Sequence, residues 1–123
     1  MPVSTLISVA LAGAVGAVCR YAMAHGLKGW LGEGPWPVAV VNVLGCFGFG
    51  LCAALLQGRV SQAVYLGVLA GFFGAFTTFS AFAFDGCQLL EERRLAAFVL
   101  NVAVQNALGL GALWLGMVVA ARG

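Results

Sequence analysis

Charge is what this chain of 123 residues has least of: Asp and Glu number 4, Lys and Arg 6, and all four together make up 8% of it. The four acids, Glu33, Asp85, Glu91 and Glu92, fall in the connections between apolar stretches or at their edges. Proton-coupled transport generally relies on a carboxylate or histidine inside the membrane, so that class lacks its central group here. No Lys or Arg precedes Arg20, and a secretory signal should begin with a basic region, so the first apolar run reads as a retained helix. Cys19, Cys46, Cys52 and Cys87 form no C-x-x-C pair and His25 stands alone. Neither a zinc site nor a disulfide framework is supported, and the thiols read as small apolar packing residues. A net charge of +2 is too small to point to nucleic acid or an anionic surface as partner.

What is there in abundance is apolar surface. Hydrophobic residues make up 63% of the chain and the mean hydropathy is +1.04, far above an ordinary soluble domain. A membrane-spanning helix takes roughly 20 mostly apolar residues, and four stretches qualify: Val3 to Ala24, Pro37 to Leu56, Ala63 to Phe84, and Ala96 to Ala121. Tyr21, Trp30, Trp36, Tyr65 and Trp114 fall near the expected ends of these stretches, where rings with a polar handle settle among lipid headgroups. The expectation is one four-helix transmembrane domain over residues 1–123, multi-pass in the inner (plasma) membrane, with the lipid bilayer as its solvent. Lys and Arg in excess mark the cytoplasmic side, yet here Arg59 and Arg122 on one side nearly balance Lys28, Arg93 and Arg94 on the other, with Arg20 added if it snorkels that way. Such a balance fits a chain that inserts either way up and pairs antiparallel; it also fits a fixed orientation set by a difference of one or two charges.

The polar side chains inside the spans are few: Arg20, Asn42, Thr77, Thr78, Ser80, Asn101, Gln105 and Asn106, with Ser4, Thr5 and Ser8 near the chain start placed at the interface. Polar groups in hydrocarbon are costly without partners, so these should face other helices or a wet path. Asn101 and Gln105 read first as glue between helices. The stretch Gly74-Ala75-Phe76-Thr77-Thr78-Phe79-Ser80-Ala81-Phe82-Ala83-Phe84 asks for more. Six of the nine phenylalanines lie between Phe72 and Phe84, and Phe76, Phe79 and Phe82 recur every third residue, which would align them on one helix face. Gly71, Gly74 and the hydroxyls weaken the helix, so a break is expected near the middle of the third span. Broken helices at membrane depth occur where the freed backbone is buried in protein or meets an ion or water. Phenyl rings carry positive charge at their edges, and together with the Asn42 amide and the Ser80 hydroxyl they could line a path for a small anion without a fixed charge to trap it.

These residues resemble the Fluc/CrcB family of fluoride channels. Gly13-Ala14-Val15-Gly16-Ala17-Val18-Cys19-Arg20-Tyr21 is similar to the family's Gly-rich first helix, and Val41-Asn42-Val43-Leu44-Gly45-Cys46-Phe47 to its asparagine motif. Gly71-Phe72-Phe73-Gly74-Ala75-Phe76-Thr77-Thr78-Phe79-Ser80-Ala81-Phe82 resembles its G-x-x-G-x-x-TTFSTF signature, the most specific of the three. The resemblance implies an all-α, antiparallel dual-topology dimer with two pores, in which fluoride passes Phe79 and Phe82 aided by Asn42 and Ser80. It also implies a structural sodium ion at the dimer centre on the backbone carbonyls of Gly74 and Thr77, no organic cofactor, and Arg20 at the pore entrance or as an anchor. Ala81 stands where the family has threonine, Val38 where it often has threonine, and Asn101 and Gln105 where its fourth helix tends to carry tyrosine and serine. Those two amides therefore join the expected fluoride pathway, and a heteromeric partner supplying the missing hydroxyls stays open beside the homodimer. Two other readings remain: a small multidrug-type proton-coupled antiporter, which would want a glutamate in the first span where only Arg20 is ionisable, and a non-transporting structural membrane subunit whose small residues, such as Gly67 and Gly71, pack helices.

Overall fold

The computed structural model describes residues 1–123. Its four membrane-length helical spans run in chain order as Val3–Leu31, Trp36–Leu56, Gln62–Glu91 and Leu95–Arg122. Helices of 28 to 30 residues are about 42–45 Å long at 1.5 Å per residue, longer than the roughly 30 Å hydrocarbon layer. The first and third therefore extend past the limits expected from hydropathy. The first continues beyond Ala24 to Leu31, and the supposed connection from Asp85 onward is helical as far as Glu91. A polar residue beyond the hydrocarbon does not end a helix; a backbone conformation does. Gly32 and Gly34, at φ 77° and 126°, turn the chain into the second span, which opens on Pro35, Trp36 and Pro37, where a missing N–H costs nothing. At the end of the third, Arg93 takes φ 57° while its N–H donates to Leu90 O at 3.0 Å and Arg94 N–H to Leu89 O at 2.8 Å, a Schellman closure with arginine at the position glycine usually fills.

Asp85 thus sits inside a helix, half-buried, with its Oδ2 unpartnered. Thr5 is 6% exposed, on a stretch that packs against the start of the third span.

Lipid gives helices no hydrophobic reason to associate, so close van der Waals fit must hold them. The second span packs along the C-terminal half of the fourth, and the first along residues Gly67–Phe73 of the third. Both seams depend on missing side chains. A Cβ on Gly50 would collide with the Leu113 carbonyl and one on Gly116 with the Phe47 carbonyl, while a Cβ on Gly16 would enter the Phe72 carbonyl. Two stretches are wound as π-helix, Gly67–Phe73 and Val104–Leu108, a wide turn found disproportionately at functional sites.

Candidate functional site

The third span breaks at Thr77 and Thr78, both extended, at φ −86°, ψ 154° and φ −148°, ψ 114°. Each threonine has a task at the break. Thr77 closes the first half, its N–H and Oγ1 both donating to Phe73 O at 3.0 and 2.9 Å. Thr78 opens the second half as its N-cap, Oγ1 accepting from Ala81 N at 3.2 Å, an arrangement that satisfies one of the amides a helix start leaves free.

Across the break lies Asn42 of the second span. Thr78 N donates to Asn42 Oδ1 at 2.8 Å, and Asn42 Nδ2 donates back to Thr78 O at 3.0 Å. The side-chain amide thereby pairs with both polar groups of one residue, as a neighbouring strand would. Asn42 Nδ2 also donates to Gln105 Oε1 at 2.7 Å, and Gln105 Nε2 donates to Asn101 Oδ1 at 2.8 Å. Asn101 is fully buried and its Nδ2 has no partner. From the first span, Arg20 Nε donates to Ala75 O at 2.9 Å. Its side chain therefore runs to the break rather than snorkelling to the headgroups.

A cleft of about 220 Å³ opens beside the break, lined by Asn42, Cys46, Thr77, Thr78, Phe79, Phe82, Gln105 and Asn106. Of the six expected pathway residues it unites Asn42, Phe79, Phe82 and Gln105. Ser80 lies outside the lining, exposed, with its Oγ 3.2 Å from Thr78 Oγ1, and Asn101 sits behind Gln105. The three-residue phenylalanine stripe does not form. The break divides it, so Phe76 is buried and stacked on Phe72 at 5.7 Å, whereas Phe79, 78% exposed, pairs with Phe82 at 5.3 Å. Period-three spacing aligns residues only along a continuous helix.

Thr78, Cys46 and Asn106 belong to the cleft although sequence reasoning gave them no place in the pathway. Thr78 was legible as an N-cap, being a threonine directly before a run that resumes helix. Asn106, whose Nδ2 donates to Val102 O at 2.8 Å, faces the same cleft as Gln105 within the π turn, and no α-helical spacing would show that.

No charged side chain lines this cleft. It offers ring edges, hydroxyls and amides, a lining suited to a small ion that must let go.

Comparison with known proteins gives a family to this arrangement. Residues 7–117 match the profile described as CrcB-like protein, Camphor Resistance (CrcB). The chain is 41% identical over 120 residues to a protein of Geobacter sulfurreducens named fluoride-specific ion channel FluC, covering 95% of this chain and 97% of that one. It is 44% identical over 115 residues to a protein of the same name from Solidesulfovibrio magneticus, covering 89% and 90%. With four membrane spans, a broken third helix and a match along nearly its whole length, the chain belongs to the CrcB/FluC family of fluoride channels, membrane proteins of the cell rather than enzymes.

Proposed function

We propose that the chain forms a passive, fluoride-selective channel that exports cytoplasmic fluoride and confers resistance to it. The observation that carries this reading is the uncharged cleft beside the break, where Phe79 and Phe82 meet amide groups. A fluoride ion leaving water needs replacements for its hydration shell, and positive ring edges and N–H donors are such replacements. Without a fixed cation in the lining, the ion is bound weakly enough to leave. The pathway on this reading runs past Asn42, Phe79, Ser80, Phe82, Gln105 and Asn101. Export needs no coupling: hydrogen fluoride crosses lipid as a neutral acid and ionises inside, and an inside-negative potential drives the anion out with about 2.3 kcal/mol per 100 mV.

The working unit on this reading is an antiparallel, dual-topology homodimer, with a heteromer as the alternative composition. A structural sodium ion would lie at its centre on the carbonyls of Gly74 and Thr77, and the local hydrogen bonding fits such a role. In an unbroken helix Gly74 O would accept from Thr78 N and Thr77 O from Ala81 N; Asn42 Oδ1 and Thr78 Oγ1 take those two donors instead. Two backbone oxygens are thereby released at the break, the kind of unwound carbonyl that binds sodium in membrane proteins. The Arg20 bond to Ala75 O favours an anchoring role, with the guanidinium occupying the carbonyl between them.

The experiment is efflux from liposomes holding the purified protein. Fluoride should leave rapidly and chloride should not, and purification with N-methylglucamine in place of sodium should lower the fluoride rate. A folded protein that passes no fluoride overturns the proposal.

A further inference from the structure

The amide network carries a consequence for which residue serves the ion, given the fluoride reading above on which it rests. Thr78 contributes a backbone N–H and a backbone C=O, whose identities are fixed by covalent structure. The Asn42 atom opposite the N–H must be its oxygen, and the atom opposite the C=O must be its nitrogen. Asn42 Nδ2 then meets Gln105 at 2.7 Å, so that atom of Gln105 must be Oε1. Gln105 Nε2 is left to meet Asn101 at 2.8 Å, so that atom must be Oδ1. One residue at the break thus dictates the orientation of three side-chain amides reaching into the fourth span.

The donors can then be counted from the chemistry of the primary amide, two hydrogens on each nitrogen. Both Asn42 hydrogens are committed, one to Thr78 O and one to Gln105 Oε1. Gln105 commits one, to Asn101, and retains one while lining the cleft. Asn101 retains both but is fully buried. Each of the three oxygens accepts one hydrogen bond and keeps one lone pair, and of the three amides Gln105 alone combines a spare hydrogen with a place in the cleft lining.

We propose that Asn42 is a positioning residue that latches the break by pairing with Thr78, that Gln105 supplies the amide hydrogen offered to fluoride, and that Asn101 holds Gln105 in the orientation that offers it.

The test uses the full-length protein in detergent, selectively 15N-labelled at asparagine and glutamine. Without any halide, both Asn42 side-chain protons should exchange with solvent about tenfold or more slowly than those of the exposed Asn106. On addition of fluoride, but not of equal chloride, a Gln105 side-chain proton should shift while the Asn42 pair stays in place. Gln105→Met should lower fluoride efflux about tenfold, and Asn101→Leu should abolish the fluoride-dependent shift at Gln105. If Asn101→Leu does not fold, the wild-type spectra decide alone. The proposal is overturned if fluoride moves the Asn42 protons and not Gln105, if the Asn42 protons exchange as fast as those of Asn106, or if Gln105→Met keeps wild-type efflux. The exchange measurement involves no anion, so a protein indifferent to fluoride would sink the channel reading and the donor role of Gln105 while leaving the latch readable.

Discussion

Among single residues, Phe76 and Phe79 stand in contrast across the break. Phe76 is buried at 6% exposure, whereas Phe79 is 78% exposed, its ring centroid 5.3 Å from that of Phe82. Replacing Phe79 by isoleucine removes a ring edge and little burial within the chain. Phe79→Ile and Phe82→Ile are therefore expected to retain the fold, read as an unchanged gel-filtration profile and thermal midpoint, while fluoride efflux drops by roughly tenfold or more. Unchanged efflux in both folded variants would return the rings to a packing role. The neighbouring threonines show why the stretch resists shorter reading. Thr77 and Thr78 are alike in chemistry, yet one ends a helix through its i−4 carbonyl and the other starts the next through an amide three residues on.

At the level of helices, the seams rest on glycine where two backbones approach. Gly16→Ala drives a methyl group into the Phe72 carbonyl, a backbone atom that cannot rotate aside. A loss of about 1–3 kcal/mol follows from such overpacking, measured as a lower thermal or denaturant midpoint in detergent. Gly26→Ala, on the same helix with nothing near its Cβ, should not lower stability and should raise it by up to about 1 kcal/mol through helix propensity. The four spans and the break were legible because they follow from hydropathy and from glycine and hydroxyl chemistry, which act locally. The helix ends were less so: hydropathy marks where the hydrocarbon stops, and the helices run on to Leu31 and Glu91 until Gly32 and Arg93 turn the chain. The stripe of Phe76, Phe79 and Phe82 was misjudged because a single period was carried through a discontinuity. The link from Asn42 through Gln105 to Asn101 joins positions 63 residues apart in its first step, and nothing local in a sequence encodes it.

For the molecule as a whole, the near-balance of positive charge between the two ends of the bundle bears on how copies assemble. An even number of spans places both termini on the side of Arg59, opposite Lys28, Arg93 and Arg94. If the chain inserts both ways, a tag at the C-terminus should be reached by impermeant reagent from either face of the membrane in comparable amounts, and detection from one face only would exclude an antiparallel homodimer. The fourth span meets the second at two levels, through Gln105, which is bonded to Asn101 behind it, and again through Gly109 and Gly116. At about 100° per residue, the eight steps from Asn101 to Gly109 would overshoot two full revolutions by about 80°. The wide turn at Val104–Leu108 takes in one extra residue and cancels most of that overshoot, bringing amides and glycines onto a common azimuth. It works as a phase corrector: the same residues wound as ordinary α-helix would swing the glycine seam about 80° out of register with the amides.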